Sequence, residues 1–176
     1  MILRNIKLFR KNQRGFTLIE TLTSVAIAGL IGLGATMANA QVMNQTANNN
    51  NITTASRHTL NALQWISRDA QMAQTVEGVE GFPATSSLTI TWIEWDNTEN
   101  QVVYSVVDGQ LRRSHSAGGG DPTVTVIAEY INSDADMTNC VSENGTLTIT
   151  ITGSVGQGSK TVNVTKVGEI TSRPKL

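Results

Sequence analysis

The chain has 176 residues, enough for one domain with a buried core and too few for two, and a formal net charge of −1. That charge is segregated: Arg4, Lys7, Arg10, Lys11 and Arg14 fall in the first fifteen residues without an acid among them, and beyond them eight basic side chains face fourteen acidic ones. An acidic remainder lacks the clustered Arg and Lys that neutralise phosphate, which argues against direct nucleic-acid binding, and the single cysteine, Cys140, excludes an intrachain disulfide.

In chain order, the basic residues 1–15 are followed by an apolar run from Phe16 to Ala40, and no charge stands between Glu20 and Arg57. A helix of ~20 such residues spans a bilayer. A secretory signal has a shorter apolar core, so Ala38-Asn39-Ala40 only imitates its cleavage site. The basic start predicts a cytoplasmic N-terminus with the rest of the chain outside a cytoplasmic membrane. Glu20 is the anomaly in this run, and two readings stand: a carboxylate held at the wet headgroup level, or one that meets a partner cation inside an assembly. Gly29, Gly32 and Gly34 are either close-approach points between helices or places where the helix is loosened.

Lys11 to Glu20, KNQRGFTLIE, resembles the processing site of type IV prepilins and type II secretion pseudopilins: a basic leader ending in glycine, then Phe-Thr-Leu-Ile-Glu opening an apolar helix. The resemblance implies cleavage between Gly15 and Phe16 by a prepilin peptidase and N-methylation of Phe16. It further implies that Glu20 pairs with the N-terminal amine of a neighbouring subunit, and that other pilin or pseudopilin subunits and a membrane platform and motor are the partners. A buried carboxylate and a buried ammonium are each costly alone, so such a pair would select one axial register. Many relatives carry a proline late in this helix; here the first is Pro83, which removes a proline kink. A signal-anchored binding module that is never assembled is the alternative.

Gln41–Asn51, with four asparagines in its last four places, reads as weak helix or a flexible joint. Ile52, Ala55, Thr59, Leu63, Ile66, Ala70 and Ala73 then recur at helical spacing, with Arg57, Arg68 and Asp69 mostly off that stripe, and predict an amphipathic helix ending near Val76. After Pro83 the period changes to two. Strands are predicted at Leu88–Trp95, Gln101–Val107 and Gln110–His115, with Asp108-Gly109 as a tight turn, then at Thr123–Ile131, around Leu147–Thr152 and at Lys160–Glu169. The expected architecture is α+β, a long N-terminal helix on an antiparallel sheet. Its divisions are a leader at 1–15, a membrane and filament-core helix at 16–43, an amphipathic helix and connection at 44–82, and a sheet domain at 83–176. Within the family, Trp65–Ala73, Val102–Arg113 and the end of the last strand with Thr171–Arg173 are similar to the J-type minor pseudopilins and related minor pilins.

Asn132, Asp134, Asp136, Thr138 and Glu143 occupy the first, third, fifth, seventh and twelfth places of an oxygen-rich calcium loop. Met137 stands where that loop needs glycine, so a solvated acidic loop holding no cofactor is the reading adopted, with calcium as the alternative. Ser114, His115 and Asp121 lie together in a hairpin and a glycine loop with no rigid pocket in prospect, so no enzyme is expected. His58 and His115 read as surface residues and Cys140 as incidental. Trp92 shares a strand face with Leu88 and Ile90 and reads as core, whereas Trp95 points the other way and is the candidate for a surface contact.

Overall fold

The computed structural model describes residues 16–143 and 145–171. The expected leader, Gly15 and the last residues, including Arg173, lie outside them. The chain divides into two compact units, residues 1–45 and 46–176.

One helix, α1, runs from Leu18 to Met72. Its described residues in the first unit are exposed throughout, and its apolar segment is long enough to cross a membrane by length and composition. The asparagine run expected to weaken the helix is helical. Asparagine costs only about 0.5 kcal/mol per residue relative to alanine, and a helix already nucleated on both sides propagates through such a stretch. The helix stops earlier than expected. Gln74 donates its N–H to the Thr91 carbonyl at 2.9 Å, and Thr75–Glu77 becomes strand β1 rather than a last helical turn. The β-branched Thr75 and Val76 suit a pleated edge better than a helix end.

Two antiparallel sheets follow in the second unit. The first is ordered β1-β2-β3-β4-β5, with β2 Leu88–Ile93, β3 Glu99–Val107, β4 Gln110–Ala117 and β5 Thr123–Ala128. The second is ordered β6-β7-β8, with β6 Asn139–Glu143, β7 Thr146–Val155 and β8 Val162–Thr171. Asp108 and Gly109 both take positive φ, 51° and 74°, which is the tight hairpin turn that matches strand twist. The predicted strand Thr123–Ile131 is shorter: it ends at Ala128, Tyr130 takes φ 61°, and Ile131 makes an isolated bridge to Gly153. Strand β6 replaces part of the expected acidic loop. Cys140 therefore sits in a strand and is buried, not loose in a loop.

The core forms where the inner stripe of α1 meets both sheets. Ala55, Thr59, Ala62, Ile66 and Ala70 are buried from the helix and Ala73 just after it, with Leu88, Ile90, Trp92, Val102 and Tyr104 from the first sheet and Leu147, Ile149 and Ile151 from the second. Burying one such Ile or Leu side chain contributes about 1.5–3 kcal/mol. Small residues on the helix allow a close approach: a Cβ on Gly153 would lie 2.7 Å from Thr59 Oγ1 and 3.0 Å from the Ala55 carbonyl oxygen.

Gly153→Ala is expected to destabilise the domain by about 2 kcal/mol in urea unfolding, because its nearest obstacles include helix backbone that cannot retreat. Gly168→Ala should cost less, since the obstacle there is the Leu63 side chain, which can turn aside. Burial pushes the Cys140 thiol up to about 12, so iodoacetamide at pH 8 should label it only as the protein unfolds.

Candidate functional site

Two acids of α1 stand out, one exposed and one buried. The first is at the front of α1. The Thr17 carbonyl accepts from the N–H groups of Glu20 and Thr21, at 3.0 and 3.2 Å, which sets Glu20 in the opening turn, where the helix dipole favours a carboxylate. The hydroxyls along this face fold back onto the helix: Thr21 onto the Leu18 carbonyl at 2.8 Å, Thr23 and Ser24 onto the Glu20 carbonyl at 3.0 and 2.6 Å. Those polar groups satisfy themselves locally. The Glu20 carboxylate makes no ion pair among the described residues, and Phe16, Leu18, Ile19 and Leu22 around it are exposed. Gly15 lies outside the described residues.

The second is inside the other unit. Asp69, on the α1 face that carries Ile66 and Ala70, is 1% exposed. Tyr104 Oη donates to Asp69 Oδ2 at 2.5 Å, Arg113 Nε donates to the same oxygen at 2.7 Å, and Arg113 Nη2 donates to Oδ1 at 3.3 Å. The Trp65 ring lies 5.3 Å from the Arg113 guanidinium and 5.9 Å from that of Arg68, close enough for cation–π attraction. Burial, with the adjoining carboxylate, holds the Tyr104 phenol far above its ordinary value. Burial alone would lower Arg113, but its bond and proximity to Asp69 raise it above its ordinary value. The arrangement is a bidentate buried ion pair with an extra hydroxyl donor. It joins helix to hairpin.

Sequence reasoning set Asp69 with the off-stripe charges, which the structure corrects. The signal was present, since Asp69 lies three residues after Ile66 and one before Ala70, within the inward arc of the helix. Both partners fall in the hairpin segment Val102–Arg113 that was singled out for its likeness to minor pseudopilins.

The remaining candidates scatter. Ser114 and His115 are consecutive on β4 and so face opposite sides of the sheet, while Asp121 is exposed before β5, so these three do not converge. His115 is not a plain surface residue: its Nε2 lies 3.0 Å from Asn100 Oδ1 and its ring is parallel to Trp92 at 6.1 Å. Nor is His58, whose Nδ1 accepts the Glu129 N–H at 2.9 Å. Trp92 is core, and Trp95 is 97% exposed in the turn after β2. In the calcium-like stretch, Asn132 and Asp134 accept the N–H groups of Asp134 and Asp136, at 2.9 and 3.1 Å. Thr138 is buried and accepts the Thr152 N–H at 3.2 Å, whereas Glu143 is exposed at the end of β6. The segment is thus a turn followed by a strand rather than one loop, and no cluster of His, Cys, Asp and Glu able to hold a metal occurs among the described residues.

Residues 10–36 match the family model described as the prokaryotic N-terminal methylation motif. The match spans Gly15, Phe16 and Glu20, ends inside α1, and leaves the second unit outside it. No curated protein and no solved structure matches the chain.

Asp69→Ala should destabilise the domain by about 3 kcal/mol in denaturant unfolding, because it strands Arg113 and the Tyr104 hydroxyl without their acceptor. Tyr104→Phe should cost about 2 kcal/mol near neutral pH, the worth of a hydrogen bond to a charged group. In the parent, stability should fall as pH rises past 10.0, the ordinary phenol value, because the unfolded chain releases a proton that the folded chain retains. Tyr104→Phe should flatten that part of the pH profile, as measured by urea midpoints.

Proposed function

We propose that this chain is a non-enzymatic structural subunit of a pilin-like filament, made as a membrane-inserted precursor and processed by a prepilin peptidase between Gly15 and Phe16. The match to the methylation motif and the apolar exposed helix support this reading. The observation that carries it is Glu20, the one charge between Phe16 and Ser56, exposed and without an ion pair among the described residues.

Cleavage would create a positive amine at Phe16, which the same peptidase would methylate. In a bundle of such helices, Glu20 of one subunit would face the amine of its neighbour. Either charge buried alone is costly by several kcal/mol, so subunits would settle at the axial offset that pairs them. Packing of the apolar helix surfaces supplies the bulk of the cohesion, and the charge pair supplies the register. Until then the helix would stay in the cytoplasmic membrane with the second unit outside, and a membrane platform with its motor would extract it. The division at 1–15, 16–43, 44–82 and 83–176 belongs to the same proposal.

The finer reading is a minor pilin or J-type pseudopilin, joined with other pilin or pseudopilin subunits in a type IV pilus, a type II secretion filament or its tip complex. The meeting of Trp65–Ala73 with Val102–Arg113 through Asp69, Tyr104 and Arg113 supports it, since these are the segments that carry the finer likeness.

Intact mass measured after co-expression with a prepilin peptidase is the direct test. Loss of residues 1–15 with one added methyl group is expected, and an intact Met1 leader beside an active peptidase would overturn the proposal in favour of an unassembled signal-anchored module. Glu20→Ala should be cleaved normally yet fail to enter filaments, as read by immunoblotting of sheared fibres.

A further inference from the structure

Among the described residues of the second unit, four strands form sheet edges, and three of them are blunted. β1 has three residues, β6 ends on the exposed Glu143, and β8 carries Lys166 and Glu169. Short or charged edges resist pairing with another chain. β5 differs, because Thr123–Ala128 contains no charge.

The outer side of β5 is also unevenly covered. Beyond its middle, Asn61 Nδ2 donates to the Ile127 carbonyl at 2.5 Å and His58 accepts the Glu129 N–H at 2.9 Å, so side chains of α1 close that end. Thr123–Val126 has no such cover: all four residues are exposed, with Val124 at 60% and Val126 at 46%. In an antiparallel sheet every second residue of an edge strand turns its N–H and C=O outward, so this stretch offers backbone donors and acceptors with an apolar pair on one face.

We propose that Thr123–Val126 is a strand-addition site for an extended segment of a different polypeptide, one that is uncharged and β-branched over about four residues and carries Lys or Arg at its ends. The backbone requires an extended occupant, and Val124 with Val126 favours β-branched cross-strand neighbours. The flanks set the charge: Asp121 and Glu129, both exposed, stand beyond the two ends of the open stretch. They also disfavour a second copy of this chain. The antiparallel register that sets both valines against valines is centred on Thr125, and it brings Asp121 of one copy to Glu129 of the other at both ends, where like charges repel. The site is independent of the filament reading and would serve a signal-anchored module equally.

Hydrogen exchange of the full chain in detergent, followed over 121–129, tests this with two synthetic peptides, Lys-Thr-Val-Thr-Val-Thr-Lys and the same sequence with Glu at both ends. The Lys-ended peptide should slow exchange in the β5 segment by roughly tenfold at saturation and the Glu-ended one should not. Asp121→Lys combined with Glu129→Lys, both at exposed positions, should reverse that preference. Absence of protection by either peptide in the parent chain would overturn the site. Equal protection by both, unchanged by the charge reversal, would overturn the stated occupant. Protection that needs no peptide and grows with protein concentration would assign the edge to a second copy and equally overturn the proposal.

Discussion

A carboxylate removed from water must be given a cation and donors, and Asp69 obtains both from a single hairpin. Tyr104 and Arg113 are direct cross-strand partners in the β3–β4 register, so their side chains leave the sheet on one face and reach one helical residue together. A slip of one residue in that register would turn one partner to the other face of the sheet. The Asp108-Gly109 turn fixes the register locally and the buried carboxylate fixes it from outside the sheet. The neighbours β2 and β5 pair with this hairpin, so the placement of the whole first sheet against the second half of α1 follows from the same contact.

Much of this was readable in the sequence because it follows from periodicity and turn chemistry. The inner stripe of α1, the β3–β4 hairpin and the inward Leu147, Ile149 and Ile151 all arise from local patterns that the sheet and helix simply retain. The misses share a different cause. Thr75–Glu77 and Asn139–Glu143 are strands because a neighbouring strand offers a ladder, and neither carries enough local pattern to announce itself. The asparagine run stays helical because cooperativity along α1 outweighs its modest propensity. The charge of Asp69 suggests exposure, although its place in the helical period points inward, and the buried partners decide the outcome. At the front of the chain the motif itself is legible from the order and chemistry of its residues, and the match to the methylation motif covers residues 10–36.

Asp69 and Glu20 stand in contrasting surroundings on the two halves of the helix. Both are acids on one continuous helix, yet one has both carboxylate oxygens bonded within its own fold while the other has no ion pair among the described residues. A charge satisfied internally specifies a tertiary structure, and once it is satisfied it can do nothing further. A charge left open in an apolar surface is costly wherever water is excluded from it, and the proposed assembly would remove that cost by pairing it. The same distinction holds in the backbone of the second unit: where Asn61 and His58 cap the edge of β5 the strand is finished, and where they do not it stays competent to pair. Both proposed functions lie at what the fold leaves uncompleted, the carboxylate of Glu20 and the open edge at Thr123–Val126.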